Sequence, residues 1–204
     1  MHAPAAARVP FVGLTSGLGA GQSTALAILE DLGAVTMSAD AVVHELLGTD
    51  ELRDALVQRL GDGVVRDGVV DRGAVAERVF SSPEDRDWIE DLLWPRVGER
   101  IAHWREQILV ADPRPLAAVV ESPLLFEAGM EGRFDHTVAV IAEERLRERR
   151  AVSRGHQAVS ERGGRQLTQE EKSQRADFTV RNDGTETELR GELTRVLATI
   201  RAEV

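Results

Sequence analysis

The chain has 204 residues, 42% of them hydrophobic, enough to bury a core as one compact unit carrying one or two inserted subdomains. Its net charge of -10 and pI near 5.0 argue against a protein that coats nucleic acid non-specifically, so an anionic ligand would need a local basic site. The absence of cysteine excludes disulfides and thiolate metal sites. It fits a cytoplasmic protein, as does the lack of a signal-peptide-like or membrane-spanning apolar run.

In chain order, Val9 to Leu14 is a short apolar run closed by glycines and reads as a buried strand. Ser23 to Leu32 follows with helical spacing and stops at Gly33; Ala34 to Met37 reads as a second strand. Strand, Gly-rich loop, helix, strand is a βαβ unit, which implies parallel strands and a right-handed crossover. The middle is helical: Asp40–Leu47, Asp50–Leu60, a helix from Asp71 to Phe80, and a long one from Ser82-Pro83-Glu84 towards Val110 with a bend expected at Pro95. Residues 61–73 (GDGVVRDGVVDRG) read as turns with room for a small hairpin. Leu116–Glu121, His136–Ala142 and Phe178–Arg181 are three more strands. Helices are expected over 143–154, 159–175 and Thr187–Glu203. Five apolar strands separated by helices suit an α/β fold whose parallel sheet is covered on both faces.

Residues 145–175 hold a cluster of basic side chains, among them Arg147, Arg150, Arg154, Arg162 and Lys172, interleaved with glutamates; a solvated helical face and an anion site are both open. Lys172 is the only lysine in the chain.

The most informative stretch is GLTSGLGAGQST, residues 13–24. Against the phosphate-loop pattern G-x-x-x-x-G-K-[ST], Ser16 stands at the first glycine, Gly21 at the second, Gln22 at the lysine and Ser23 at the hydroxyl position. The dinucleotide fingerprint fits worse, because its third glycine would fall on Gln22. Gly17, Gly19 and Gly21 allow the backbone N–H groups of residues 17–24 (Gly17, Leu18, Gly19, Ala20, Gly21, Gln22, Ser23 and Thr24) to converge on phosphate oxygens at the start of a helix. That machinery survives the substitution, whereas the positive charge does not. Losing one such donor costs about 10²–10³ in rate.

These blocks together resemble the dephospho-CoA kinase family. The resemblance rests on the glycine loop, Ser38-Ala39-Asp40, Pro123-Leu124-Leu125-Phe126-Glu127, the arginine-rich helix reaching Arg154, Arg175-Ala176-Asp177-Phe178, and Asn182-Asp183-Gly184, and it spans nearly the whole chain. It implies a P-loop kinase three-layer fold: a five-stranded parallel sheet core (9–40, 112–142 and 176–204), a helical substrate subdomain (41–111) and a lid (143–175). It implies ATP with Mg²⁺ and transfer of a phosphoryl group to the ribose 3′-hydroxyl of dephospho-CoA. Asp40 is then the residue beside the acceptor hydroxyl and Arg154 the lid arginine that closes on the transferring phosphates, with Arg150 and Arg162 behind it. Ser23 and, through water, Glu121 are expected at the metal; His44, Leu125 and Glu127 at the acceptor; Asn182 and Gly184 along the adenine. The chain departs from the family at Gln22, at Ser38 (the first Asp of an Asp-Ala-Asp motif), at His44 (often Arg) and at Trp94 (His before Pro95). A weakly active nucleotide-binding relative, or a P-loop kinase for another nucleoside-like acceptor, are the alternatives these departures leave.

Overall fold

A computed structural model describes residues 8–153 and 166–203, the side chains of 151–153 excepted. The strands are β1 (Phe11–Ser16), β2 (Val35–Ser38), β3 (Val65–Arg66), β4 (Val69–Val70), β5 (Ala118–Glu121), β6 (His136–Ile141) and β7 (Phe178–Arg181). The helices are α1 (Gln22–Asp31), α2 (Ala39–Leu47), α3 (Asp50–Leu60), α4 (Arg72–Ser81), α5 (Pro83–Leu109), α6 (Glu144–Ser153), α7 (Gln169–Arg175) and α8 (Glu186–Glu203).

Five strands form one parallel sheet in the order β2-β5-β1-β6-β7, as expected for an α/β protein. Alternate residues of β1 serve opposite faces. Val12 and Leu14 join Val119, Val138, Val140 and Val180 in a core closed by Ile28 and Leu29 of α1 and by Leu189, Leu193, Leu197 and Ile200 of α8. The i, i+4 and i, i+3 spacing of those α8 residues is what lets one helix seal that face. On the other face Phe11 stacks on Phe134, and Gly13 leaves room for Leu125 and Phe134, either of which a Cβ there would meet within 2.7 Å. The chain passes from β1 to β2 on one side of β1 and from β5 across to β6 on the other, so the strand order reverses beside β1, and its carboxyl end is the topological switch point, where ligands of such sheets gather.

The chain divides into two compact units, residues 1–38 with 104–204, and residues 39–103. The second is helical, with Leu52, Leu56 and Leu60 of α3 buried at i, i+4 spacing and Val64 beside them. The turn-rich stretch closes as a β3–β4 hairpin in which Asp67 (φ 53°) and Gly68 (φ 78°) both take the left-handed conformation. Asp-Gly is the pair such a two-residue turn favours. Helix α5 runs unbroken through Pro95. No helix among the described residues is long and apolar enough to cross a membrane.

Candidate active site

The loop between β1 and α1 is shaped by two glycines in the left-handed region, Gly19 (φ 77°) and Gly21 (φ 96°). A side chain is excluded at both. A Cβ on Gly19 would lie 2.5 Å from the carbonyl of Arg147, and one on Gly21 would collide with the amide of Asn182. Helix α1 starts without a side-chain cap and without acidic residues in its first turn, so its N–H groups and dipole are open to an anion. Ser23, in that first turn, is exposed.

The two residues that depart from the loop pattern meet each other. The Ser16 hydroxyl donates to Gln22 Oε1 at 2.8 Å, its proton shared with the Gly17 carbonyl at 3.1 Å. Gln22 Nε2 is buried and has no partner among the described residues. A buried amide nitrogen without an acceptor costs about 1–3 kcal/mol, which a phosphate oxygen would remove. The loop therefore fits a phosphate group.

Three side chains from later in the chain hold the loop. Asn182, buried at the end of β7, donates from Nδ2 to the Ala20 carbonyl at 2.8 Å. Its amide thus serves the loop's backbone, where the resemblance implied a place along the adenine; Gly184 lies in the exposed turn before α8. Arg147 of α6 is 8% exposed and donates from Nε to the Leu18 carbonyl at 3.0 Å. Arg150 donates to the Asn182 carbonyl at 3.1 Å.

Lys172 is fully buried. Its ammonium donates to the Ser16 carbonyl (3.3 Å) and to the Pro123 carbonyl, and pairs with Glu127 Oε1 at 3.2 Å. Burial pushes its pKa down, the Glu127 carboxylate opposes this, and the Arg147 charge adds to the fall. Three acceptors use the three ammonium hydrogens, so this lysine does not stand in for the one absent at Gln22. Its aim depends on α7, whose start is pinned by a capping box between Thr168 and Glu171. Gln169 adds a second tie, its amide exchanging hydrogen bonds with the backbone N–H and carbonyl of Ala142.

Glu127, 11% exposed, accepts from Leu167 N at 2.8 Å as well as from Lys172, and its Oε2 has no partner among the described residues. Leu125, expected at the acceptor, is fully buried against Gly13, because the β1 glycine opens a slot that an apolar side chain fills. Glu121 ends β5 opposite Ser38 and accepts from its hydroxyl at 2.6 Å, so the serine at the first Asp position is a partner of the acidic residue. No group of three or more His, Cys, Asp or Glu able to hold a metal occurs among the described residues.

In the helical unit Asp40 lies in the first turn of α2, which begins at Ala39, so Asp40 is not the N-cap. Packing around the carboxyl raises its pKa from the ordinary aspartate value although part of it meets solvent, and the Arg72 charge opposes the rise. Arg72 Nη1 also lies 3.3 Å from His44 Nδ1, one turn beyond Asp40. Arg72 escapes a sequence reading: it opens α4 after the hairpin, and only folding brings it to α2. Arg154 and Arg162 lie outside the described residues.

The family model for dephospho-CoA kinase matches residues 10–188. Dephospho-CoA kinase of Moorella thermoacetica is 36% identical over 168 residues, 81% of this chain and 78% of that protein. The enzyme of Anaeromyxobacter dehalogenans is 36% identical over 197 residues, 93% and 92% of the two chains. Among solved structures, TT1252 from Thermus thermophilus superposes with a TM-score of 0.78 at 32% identity, covering 94% of this chain and 98% of that one. Dephospho-CoA kinase from Campylobacter jejuni gives 0.69 at 25% identity, covering 95% and 98%. With a family match over most of its length and relatives this similar end to end, the chain belongs to the dephospho-CoA kinase family.

Proposed function

We propose that the protein transfers the terminal phosphoryl group of ATP to the ribose 3′-hydroxyl of dephospho-CoA, giving coenzyme A. Family membership supports the reaction, and one observation on this chain carries it: the uncapped, glycine-shaped loop whose buried Gln22 amide nitrogen has no acceptor among the described residues. The N–H groups of residues 17–24 hold the phosphates at the start of α1. Asp40 accepts or orients the proton of the attacking hydroxyl. A raised pKa suits a base, since it strengthens proton affinity. Glu127, with one carboxylate oxygen unengaged, offers an acceptor to substrate, and His44 with Arg72 forms a polar cluster beside Asp40. Residues 41–111 act as the acceptor-binding subdomain and 143–175 as the lid that brings Arg154 to the phosphates. Mg²⁺ arriving with ATP neutralises charge on the terminal phosphates, and Ser23, with Glu121 through water, would hold it. The soluble-kinase family and the cysteine-free composition support a cytoplasmic setting.

The neutral Gln22 favours a second reading, a relative that binds nucleotide and transfers slowly. Incubation with ATP, Mg²⁺ and dephospho-CoA, with coenzyme A resolved chromatographically, separates the two. Turnover abolished by Asp40→Asn supports the enzyme. Nucleotide binding without product supports the slow relative, and turnover unchanged by Asp40→Asn removes Asp40 from proton handling.

A further inference from the structure

We infer that Arg147 supplies the positive charge at the phosphate loop that Gln22 cannot. The inference rests on ATP occupying that loop, as proposed above.

A phosphate loop normally places one cation against the terminal phosphates. Here the residue at that position is neutral, and Lys172 is spent on Ser16, Pro123 and Glu127. Arg147 differs. Its guanidinium packs against the loop, so that a Cβ on Gly17 would come within 3.2 Å of Nη2 and 3.3 Å of Cζ. Nε is committed to the Leu18 carbonyl. The nearest carboxylate, that of exposed Glu144, stands 3.7 Å from Nη1, beyond hydrogen-bonding distance. The terminal nitrogens therefore keep their donors without an acceptor among the described residues. A guanidinium anchored by Nε with its fork open is arranged for bidentate contact with an anion.

The anchoring also fixes the charge in advance. Arg147 is 8% exposed, and its own carbonyl is packed where a Gly19 side chain would be. Its cation is therefore resident at the loop before nucleotide arrives, and no closing movement is needed to deliver it. One positive charge has moved from the loop to the helix facing it.

A double-mutant cycle tests this, with ATP, ADP and adenosine binding measured by calorimetry without acceptor, beside coenzyme A formation. The variants are Arg147→Gln, Gln22→Lys, both together, and Arg147→Lys. Arg147→Gln should weaken ATP and ADP by about tenfold or more, as expected for a lost charged hydrogen bond, and leave adenosine unchanged. In the Gln22→Lys background the same change should cost less than about threefold, because the loop again carries its own cation. An equal loss in both backgrounds would make Arg147 only a clamp on Leu18 and overturn the inference; unchanged ATP affinity would do the same. If Arg147→Gln does not fold, Arg147→Lys decides: it keeps charge but shortens the reach to Leu18, so retained ATP affinity supports the charge and lost affinity the clamp. Coupled ATP binding without coenzyme A formation would leave this inference standing and remove the acceptor assignment instead.

Discussion

Replacing Lys172 by Met removes a cation from a place where no water reaches it. Glu127, 11% exposed, would keep its charge without its partner, and the Ser16 and Pro123 carbonyls would each lose a donor. Breaking a buried ion pair from one side costs about 3–5 kcal/mol. For a chain of this size each kcal/mol moves Tm by about 2–4 °C, so Lys172→Met should melt about 6–20 °C lower in a calorimetric scan. Glu127→Gln combined with Lys172→Met should recover part of that loss, since the stranded charge is gone while both carbonyls still miss the lysine donor, Pro123 keeping its bond from Gln166 Nε2 at 3.3 Å. The pH dependence gives an independent check. With the pKa of Lys172 lowered by folding, the unfolded chain binds this proton more tightly. Charged Lys172 thus penalises stability, and the penalty fades as pH rises towards the ordinary lysine value of 10.5; the Met variant should lack that alkaline gain. A Tm change below about 2 °C, or a double variant as unstable as the single one, would refute the buried-pair reasoning.

Arg72→Met should move the acid limb of the kcat/KM profile to higher pH, because the charge that lowers the Asp40 pKa is gone while the burial that raises it stays; an unmoved limb would mean that Asp40 does not set it. Asp177 accepts from Thr137 N (2.7 Å) and Thr137 Oγ1 (2.8 Å), tying the start of β7 to β6. Asp177→Ala should cost about 1.5–3 kcal/mol in urea melts. Asn182→Ala releases the Ala20 carbonyl and should raise KM for ATP more than KM for dephospho-CoA, measured in the coupled kinase assay.

Local patterns determined a good deal about this protein. Short apolar runs mark β1, β5, β6 and β7 within a residue or two, and i, i+4 leucines mark α3 and α8, because burial on a sheet face or a helix stripe is written directly in residue order. Gly19 and Gly21 mark the phosphate loop because only glycine relieves the left-handed turn. Short motifs also carry the family, since each lies within one loop or strand end. The partnerships across the chain were not legible. Ser16 and Gln22 read separately as two losses, yet they are bonded to each other. Leu125 read as a residue near the substrate, and that its side chain packs into the slot left at Gly13 was not visible in the sequence. Lys172 and Arg147 read as members of one basic stretch. Packing sends the first beneath the loop to neutralise Glu127 and sets the second against Gly17, its terminal nitrogens without a hydrogen-bond acceptor among the described residues. Helical spacing says which face a side chain occupies, but only the tertiary structure decides what lies opposite. For a charge, the acceptors it meets there separate a structural pin from a cation free to hold phosphate.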